Sequence, residues 1–422
     1  MLYLVMPADP AKVVADLKEL RALTATDDGS QRLAWTEPWQ RARDWWITTF
    51  DGTPVEVETD VAGNLWVTLV GESRNRIVLG SHLDSVPNGG WLDGALGVLS
   101  GSETLRALHR DVIETGGTLP VSISVVDWAD EEGARFGRSL FGSGAVSGTL
   151  EVDTVRHFTD RNGAILQDIV APYGVNMDTI LTAGDILGSI VASAELHIEQ
   201  GPVLEAKGRQ LAALHGILGV ERRLVKVKGQ AAHAGATPIH MRKDSTLAAA
   251  RMSIAIRELA IKEGAFATVG VWKVHPMVPT AVNGRTEFSV DMCHLDIAVL
   301  NRMVAGLEAI VAEIAADERC EADIEMLWSI NPIDFHPDLI EFAADVVEAR
   351  TGIREVMPSG PMHDSAEMAR AGVPTIMMFV PSINGLSHTH IEDTAEADIE
   401  LGVAAFDDLV VKMVNWAAAR VS

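Results

Sequence analysis

Two adjacent glutamates, Glu131 and Glu132, form the most informative pair of residues in this sequence, because together they could bind a metal and transfer a proton. They follow an apolar run at 121–126 that is typical of a buried strand. Neighbouring carboxylates at a strand end repel each other and are hard to desolvate, and a metal ion nearby removes that difficulty. One glutamate can then bind the metal while its neighbour takes a proton from water. The alternative is a solvated acidic loop, which is the better interpretation of an isolated Glu-Glu pair.

Histidines and one more carboxylate occupy similar places, close to predicted strand ends. A lone histidine after a strand is more often a hydrogen-bonded structural residue, but several candidates in one topological place are less expected by chance. Three histidines and two carboxylates could hold two divalent ions that share one aspartate. Imidazole with carboxylate suits Zn²⁺, and also Mn²⁺, Co²⁺ or Ni²⁺. The candidate metal ligands are His82, Asp93, Glu132, His197 and His388.

The elements that must position these residues alternate between helix and strand. Predicted strands end just before His82 and the glutamate pair, and a glycine-rich loop with Asp93 opens a helix. This order predicts an α/β sheet with its site at the carboxyl ends of the strands. The predicted helices are 10–24, 38–50 and 94–108, and the predicted strands are 63–70, 76–80, 121–127 and 375–380.

The middle of the chain has a different pattern. Residues 222–229 alternate polar and apolar side chains, as a half-exposed strand does. The elements predicted after it are a helix at 244–262, strands near 266–274 and 283–292, a helix at 296–316 and a strand at 321–328. We expect a compact α+β unit at 213–329, inserted between the two parts of a larger domain at 1–212 and 330–422.

Composition argues against several kinds of partner. The chain has 422 residues, 47% of them hydrophobic, and a formal charge of −25, which disfavours nucleic acid or an anionic membrane. No apolar stretch is long enough for a membrane span, and the N-terminus lacks the features of a secretory signal. The two cysteines, Cys293 and Cys320, do not make a disulfide framework, so we expect a cytoplasmic protein.

Longer motifs carry a resemblance to one family. They are Gly-Ser-His-Leu-Asp-Ser-Val-Pro at 80–87, Glu-Glu-Gly-Ala-Arg-Phe-Gly at 131–137, Leu-His-Ile-Glu-Gln-Gly-Pro-Val-Leu-Glu at 196–205, Ala-His-Ala-Gly-Ala-Thr-Pro at 232–238, His363-Asp364, and Phe-Val-Pro-Ser at 379–382. From about Leu17 to Trp416, the chain resembles the hydantoinase/carbamoylase branch of the M20 metallopeptidase-like amidohydrolases. That branch includes N-carbamoyl-L-amino acid amidohydrolases, allantoate amidohydrolases and β-ureidopropionases. The resemblance implies a two-metal hydrolase domain with an inserted α+β lid domain that forms a homodimer and closes over a small-molecule substrate.

The resemblance also implies roles for individual residues. The five candidate ligands match the family's metal ligands, with Asp93 bridging two ions, and Glu131 matches the general base. Asp84 matches a carboxylate that orients the imidazole of His82. His233 matches a lid histidine that stabilises the oxyanion, although it also fits a surface turn. The residues that match substrate contacts are Gln200 and Asn283, of which Asn283 equally suits a turn before Gly284.

The activity implied is metal-dependent hydrolysis of a linear amide or ureido C–N bond in a small molecule. Two alternatives remain open at this point. Related M20 proteins cleave peptides or N-acyl amino acids, although the His-Ile-Glu-Gln-Gly-Pro stretch at 197–202 favours the amidohydrolases. A catalytically inactive binding protein is the other alternative, which the intact set of ligands and base disfavours.

One departure from the family pattern concerns substrate choice. The family has an arginine that grips the substrate carboxylate at the position of Cys293, and a thiol cannot make the bidentate contact of a guanidinium. Cys293 also fits a small core residue. Our hypothesis is that the substrate lacks a carboxylate or binds it through another cation, such as Arg242 or Arg285. His390, where the family tends to have proline, fits a pocket contact or a solvent-facing loop residue.

Overall fold

The structure is a computed structural model that describes residues 6–421. It divides into two compact units, one that ends at His215 and resumes at Asp334, and a second formed by Gly216–Ile333. The predicted domain limits lie close to this division, although residues 1–5 and 422 of the predicted larger domain lie outside the described residues.

The elements follow the alternating order expected from the sequence. The strands are β1 (Ala25–Thr26), β2 (Gly29–Ser30), β3 (Val55–Thr59), β4 (Leu65–Leu69), β5 (Ser73–Ser81), β6 (Val121–Asp127), β7 (Ile190–Ile198), β8 (Ala212–Ile217), β9 (Gly219–Lys228), β10 (Ala232–His233), β11 (Phe266–His275), β12 (Ala281–Val282), β13 (Arg285–His294), β14 (Glu321–Ile330), β15 (Ile333–Asp334), β16 (Val356–Ser359) and β17 (Thr375–Val380). The α-helices are α1 (Pro10–Thr24), α2 (Glu37–Thr48), α3 (Ala95–Thr115), α4 (Phe141–Ser147), α5 (Val152–Val155), α6 (Leu166–Val170), α7 (Val203–Lys207), α8 (Ser245–Glu263), α9 (Ile297–Asp317), α10 (Pro337–Thr351), α11 (Asp364–Arg370) and α12 (Glu396–Val421). Short 3-10 helices cover Ala171–Tyr173, Ile180–Ser189, Ile239–Met241 and Ile383–Gly385.

A nine-stranded mixed sheet organises the first unit. Its order is β15-β8-β17-β7-β5-β6-β4-β3, with β16 paired to β8. The central strands β17, β7, β5 and β6 are parallel, whereas β4 pairs with β6 in the antiparallel sense. Strands β6 and β17 are buried along their whole length, as expected where both faces of a sheet are covered. The predicted α/β class is confirmed.

Helix α3 shows how the structure refines a predicted boundary. The sequence pattern predicts an end at residue 108, but α3 continues to Thr115. The reason is that the stop signal is Gly116, which has a φ of 61° and so takes the left-handed conformation that commonly ends a helix. The C-terminal turns of α3 therefore lie beyond the apolar stripe that marked the helix in the sequence.

The second unit is a four-stranded antiparallel sheet in the order β11-β13-β9-β14, packed against α8 and α9. Its core includes Val225, Met252, Phe288 and Met303. Helix α8 begins at the cap residue Asp244, whose side chain accepts two main-chain N–H groups. Alternate residues of β9 and β13 point away from this core and form what we call the polar sheet face, which includes Arg222, Lys226, Lys228, Arg285, Glu287 and Asp291.

No helix within residues 6–421 combines the length and the apolar character that a membrane crossing needs.

Candidate active site

The predicted metal ligands lie at one edge of the sheet. His82 directly follows β5, Glu132 comes in the loop after β6, and His197 is the second-last residue of β7. Because these three strands are parallel, their carboxyl ends share one edge of the sheet. His388 follows β17, which is parallel to β7, and Asp93 lies just before α3.

Asp93 belongs to two groups of candidate ligands. One group is His82, Asp93 and His197, and the other is Asp93, Glu132 and His388. Its Oδ1 is 3.2 Å from His197 Nε2 and 3.7 Å from His82 Nε2. Its Oδ2 is 3.3 Å from His388 Nε2, which is itself 3.4 Å from Glu132 Oε2. Within each group of three residues, the donor atoms lie within 4.8 Å of one another. The structure thus brings together all five predicted ligands, with one oxygen of Asp93 toward each group.

The imidazole orientations fit the binding of divalent ions. His82 Nδ1 lies 3.1 Å from the main-chain oxygen of Asp84, and His197 Nδ1 lies 2.9 Å from that of Ile198. A carbonyl oxygen accepts a hydrogen bond, so each neutral ring holds its proton on Nδ1 and turns the lone pair of Nε2 toward Asp93. This arrangement is typical of histidines that bind a metal.

Asp84 contacts His82 through two of its groups. Its main-chain oxygen lies closer to His82 Nδ1, and its carboxylate, the predicted contact, lies 3.6 Å from the same nitrogen. The carboxylate also accepts the main-chain N–H groups of Glu131 and Glu132, each at 3.2 Å. Asp84 therefore orients His82 and holds the glutamate pair in place.

Glu131, the predicted base, lies beside the candidate ligands. It is 8% exposed, and its Oε2 lies 3.7 Å from His82 Nε2. Burial raises the pKa of Glu131 well above that of a free glutamate, against the opposing effect of His82. Burial and the charge of Asp93 raise the pKa of Glu132 to about 7. Several carboxylates share a small buried volume here, and their donor set is one that a divalent cation would complete.

Gly94 allows the close approach of the Asp93 loop to His82. Its φ is 66°, and a Cβ on Gly94 would lie 2.4 Å from the main-chain oxygen of His82 and 2.5 Å from its imidazole. A side chain at this position would both strain the backbone and displace the ligand. The glycine after Asp93 is thus required by the geometry of the site.

Gln200, a predicted substrate contact, hydrogen bonds within the site. Its Nε2 donates to Asp93 Oδ2 at 2.9 Å and to Ser387 Oγ at 3.2 Å, and lies 3.4 Å from His388 Nε2. This link to Asp93 was not predicted from the sequence. A substrate contact by Gln200 stays a prediction.

His233 lies in the second unit, exposed on β10. The main-chain N–H of Gly235 donates to its Nδ1 at 3.1 Å. The neutral ring therefore holds its proton on Nε2, and this N–H can donate to an oxyanion. Its catalytic role stays a prediction.

The other predicted substrate contacts of the second unit have partners within it. Arg242 donates from Nε to Thr237 O at 2.9 Å and from Nη2 to Ala234 O at 2.6 Å. Asn283 Oδ1 accepts the main-chain N–H of Met277 at 3.1 Å. These contacts support structural roles in the loops around β10 and β12, and the predicted contacts with substrate stay untested.

Comparison with known proteins gives the family. A model described as peptidase family M20/M25/M40 matches residues 78–412.

The chain belongs to this family.

Individual relatives cover nearly the whole chain. The allantoate amidohydrolase of Bacillus subtilis is 32% identical over 393 residues, which are 92% of this chain and 94% of that protein. The N-carbamoyl-L-amino acid amidohydrolase of Geobacillus stearothermophilus is 33% identical and covers 89% of this chain and 91% of its own. The crystal structure of a hydantoinase/carbamoylase family amidase from Burkholderia multivorans has a TM-score of 0.87 and 31% identity, and covers 96% of this chain and 98% of its own. The chain is an M20 amidohydrolase, as predicted, and these relatives favour this interpretation over the alternatives of a deacylase, a peptidase or an inactive protein.

In this M20 protein, Cys293 and Arg285 lie at opposite ends of one strand. Strand β13 pairs with β9 in unbroken register, with Arg285 opposite Lys228 and Cys293 opposite Val220. Arg285 also pairs with the Glu287 carboxylate. Arg285 therefore does not occupy the position of Cys293, because the strand has no bulge that would shift it.

Arg222, which was not predicted to bind the substrate, lies closer to Cys293 than Arg285 does. Arg222 is opposite Asp291 on the neighbouring strand, and its Nε donates to Asp291 Oδ1 at 2.7 Å. The Cys293 thiol lies 3.8 Å from the other oxygen of Asp291. Burial, with Asp291 adding to it, raises the pKa of the thiol to about 11, so Cys293 is uncharged at neutral pH.

Three residues near the candidate ligands were not predicted from the sequence to have a role there. The ring of His363 is buried, with its centroid 4.4 Å from that of His197. Arg32 is buried and donates from Nε to the main-chain oxygen of Leu83 at 2.7 Å. The third, Glu392, hydrogen bonds to the Asp93 loop. His363 had a signal in its family motif, but the other two belong to segments without a recognisable pattern.

Proposed function

We propose that this protein hydrolyses a linear ureido or amide C–N bond of a small molecule with two divalent ions held by the five predicted ligands. The observation that carries the proposal is the position of Asp93, which offers one oxygen to each of two histidine-containing groups beside the buried Glu131. The relatives named above are allantoate and N-carbamoyl-L-amino acid amidohydrolases, which supports a ureido group as the reacting part of the substrate.

The chain's own residues divide the work of the reaction. Divalent ions at this site would lower the pKa of water and polarise the scissile carbonyl. Glu131 takes a proton from the attacking water and passes it to the leaving nitrogen as the C–N bond breaks. His233 donates its Nε2–H to the oxygen of the tetrahedral intermediate. For an N-carbamoyl substrate the products are ammonia, carbon dioxide and an amine.

Recognition of a substrate carboxylate differs from that of the family. Cys293 supplies no cation, Arg242 is engaged by two carbonyl oxygens, and Arg285 lies at the far end of β13. Arg222 is the cation that strand register brings next to Cys293, although Asp291 already pairs with it. We therefore propose a substrate that either lacks a carboxylate or binds it through Arg222, in place of an ordinary N-carbamoyl α-amino acid.

The second unit is proposed as a lid that pairs with a second copy of the chain. Strands β11 and β14 are the edges of its sheet, and both carry exposed apolar side chains. Unpaired edges with such side chains favour association. The exposed side chains are Phe266, Val271 and Trp272 on β11, and Met326, Leu327 and Trp328 on β14. Sedimentation equilibrium of the purified protein should give the mass of a homodimer, and the mass of a monomer would contradict this part of the proposal.

The decisive experiment is hydrolysis by the full chain reconstituted with Mn²⁺, Zn²⁺, Co²⁺ or Ni²⁺. Ammonia release and amine formation are measured with N-carbamoyl amino acids, allantoate, ureidopropionate, N-acyl amino acids, and ureas and amides without a carboxylate. We expect turnover that requires a metal. Substrates without a carboxylate, or ureido compounds other than N-carbamoyl α-amino acids, should be preferred to N-carbamoyl α-amino acids. No turnover with any of these substrates would overturn the proposal, and turnover of N-acyl amino acids alone would indicate a deacylase and contradict the proposed substrate class. Preference for ordinary N-carbamoyl amino acids would show that Cys293 does not change the substrate class.

A further inference from the structure

Glu392 is a buried carboxylate that links its own loop, which contains Ser387, to the Asp93 loop. It is 2% exposed. Its Oε1 accepts the main-chain N–H groups of Leu92 and Asp93, each at 3.1 Å. Its Oε2 accepts the hydroxyl proton of Ser387 at 2.8 Å. The two loops are far apart in the chain, because Glu392 and Asp93 are separated by 299 positions.

Each of these loops carries a ligand of the metal centre. One contains Asp93, the residue shared by both groups of ligands, and the other contains His388. Asp93 Oδ2 and His388 Nε2 are 3.3 Å apart. Since Glu392 binds the backbone of Asp93 and the residue before His388, its carboxylate fixes the spacing of these two ligands.

Gly90 provides the space that Glu392 occupies. A Cβ on Gly90 would lie 2.0 Å from both the carboxyl carbon and Oε1 of Glu392. Any side chain at residue 90 would therefore push the carboxylate away from the amides of the Asp93 loop. The second glycine of the Gly89-Gly90 pair is therefore required by the position of the Glu392 side chain.

Ser387 connects Glu392 to Gln200. The hydroxyl of Ser387 has one proton, which it can donate to Glu392 Oε2 at 2.8 Å or to Asp93 Oδ2 at 3.1 Å. Gln200 Nε2 has two protons, within reach of Asp93 Oδ2 at 2.9 Å and Ser387 Oγ at 3.2 Å. When Ser387 donates to Glu392, all three donors are used and Asp93 keeps a hydrogen bond from Gln200.

We propose that Glu392 is a positioning residue of the metal centre, which sets the distance between Asp93 and His388 through its bonds to both loops. It acts through these ligands and does not touch the substrate or an ion itself. The inference rests on the proposed function, because it takes Asp93 and His388 to be metal ligands. Hydrogen-bond partners of ligands typically affect metal affinity or activity by about 10–100-fold.

The test is Mn²⁺ binding to the metal-free full chain by isothermal titration calorimetry, with Glu392→Gln as the first variant. Glutamine keeps the volume, but its amide nitrogen faces Ser387 Oγ as a donor, so the Ser387 proton must turn to Asp93 Oδ2 and the charge-assisted bonds to both loops are lost. We expect Mn²⁺ affinity to fall by about tenfold or more. With a substrate from the panel above, kcat should fall while KM changes less than kcat.

Gly90→Ala separates position from charge. This variant keeps the negative charge of Glu392 but displaces its carboxylate, so it should weaken Mn²⁺ binding to a similar extent. The double variant should lose no more than the more affected single variant, because both changes break the same contact. If Glu392→Gln weakens binding but Gly90→Ala does not, the charge of Glu392 and not its position is responsible, and the inference is wrong.

Asp407→Asn is the matched control. Asp407 is also 2% exposed, and its Oδ2 accepts the main-chain N–H of Ala8 at 3.0 Å across 399 positions of the chain. It joins two distant segments as Glu392 does, but lies in α12 without contact to a ligand. Mn²⁺ affinity should be unchanged in this variant. An equal loss in Asp407→Asn would show that any such buried link matters, which would overturn a specific role for Glu392.

Further results separate a variant that does not fold, a purely structural role of Glu392, and the absence of a metal site. If Glu392→Gln does not fold by circular dichroism, Ser387→Ala carries the test, with a smaller expected loss of Mn²⁺ affinity. If Glu392→Gln and Gly90→Ala both bind Mn²⁺ with wild-type affinity and only their Tm is lower, Glu392 stabilises the fold but does not position the ligands, and the inference is wrong. Failure of the wild-type protein to bind Mn²⁺ would instead overturn the proposed metal centre, and the inference with it.

Discussion

The candidate metal site and the polar sheet face both carry several carboxylates, but the basic groups around them differ. On the polar sheet face, Asp291 pairs with Arg222 at 2.7 Å, and Lys228 lies 3.3 Å from Glu321. Within residues 6–421, no lysine or arginine forms an ion pair with Asp93, Glu131 or Glu132, which contact histidines instead. The buried Arg32 acts on Asp93 by its charge without an ion-pair contact.

This difference fits the proposal that the acids beside the histidines bind a divalent cation. An exposed carboxylate with a basic partner is already neutralised, and such a pair contributes little to stability. Buried carboxylates without a basic partner are expensive unless a cation joins them or they stay protonated. Five experiments test this contrast between the two regions.

The largest effect is expected for Asp93→Ala. This change removes the oxygens shared by both groups of ligands, so both bound ions and all turnover should be lost. Metal content by inductively coupled plasma mass spectrometry after reconstitution checks the result, with circular dichroism to confirm the fold. Retention of two ions per chain would show that Asp93 does not bridge them.

Glu131→Gln should separate catalysis from metal binding. The base is lost while the ligands remain, so kcat should fall by about 10²–10⁴-fold with metal content unchanged. The control is Glu132→Gln, which should lose metal as well as activity. Equal loss of metal in both variants would contradict the different roles of the two neighbours.

Cys293→Arg adds a cation where this chain has none. It should raise kcat/KM for N-carbamoyl-L-amino acids by at least about tenfold, since charge-assisted bidentate bonds to a carboxylate are strong. Cys293→Lys serves as the control, because it adds the positive charge without the paired N–H donors of a guanidinium. Unchanged specificity in both variants would mean that position 293 does not contact the substrate.

Asp407 is a buried acid remote from the ligands, so it tests the cost of burial alone. Burial raises its folded pKa to about 6. Its charge therefore destabilises the fold as pH rises from about 4 toward 6 and remains unfavourable above that range. Asp407→Asn should be more stable than the wild type at pH 8 by on the order of 1–2 kcal/mol, and the difference should narrow at pH 5. A difference in the unfolding free energy that does not depend on pH would exclude this explanation.

The smallest effect is expected for Lys228→Met on the polar sheet face. Both side chains of its pair with Glu321 are largely exposed, at 74% and 81%. Tm should stay within about 2 °C of the wild type by differential scanning calorimetry. A large decrease in Tm would mean that paired surface acids also determine the stability of this protein, and the contrast would fail.

Much of this architecture could be predicted because its signals are local. Helix α1 has the predicted limits, and the elements of the second unit start and end within a few residues of the predicted ones. Apolar runs mark β6 and β17, and the ligands follow from their places near strand ends. Periodicity and caps act over a few neighbouring residues, so the sequence alone can reveal them.

The region between β6 and β7 could not be predicted from such signals. It contains short helices, such as Val152–Val155, and the long 3-10 segment Ile180–Ser189. Its packing depends on distant aromatic residues, since the ring of Tyr173 lies 5.6 Å from that of Trp35. No local period marks such an arrangement.

Long-range hydrogen bonds were equally hidden in the sequence. The bond from Asp93 N–H to Glu392 spans 299 positions, and Arg32 reaches Leu83 across 51. Asp84 shows the same limit at short range, because family resemblance predicts its carboxylate beside His82 but not the closer contact of its main-chain oxygen.

The position of β17 has a consequence for the order in which the protein is made. This strand lies between β7 and β8, so the large sheet stays open until residues near 380 have left the ribosome. The second unit is continuous from Gly216 to Ile333 and has its own core, so it can fold earlier. At about 5–20 residues per second, synthesis of the remaining segment takes roughly 2–10 s. Limited proteolysis of ribosome-bound chains halted before Thr375 should yield a protected second unit beside a sheet that is still digestible.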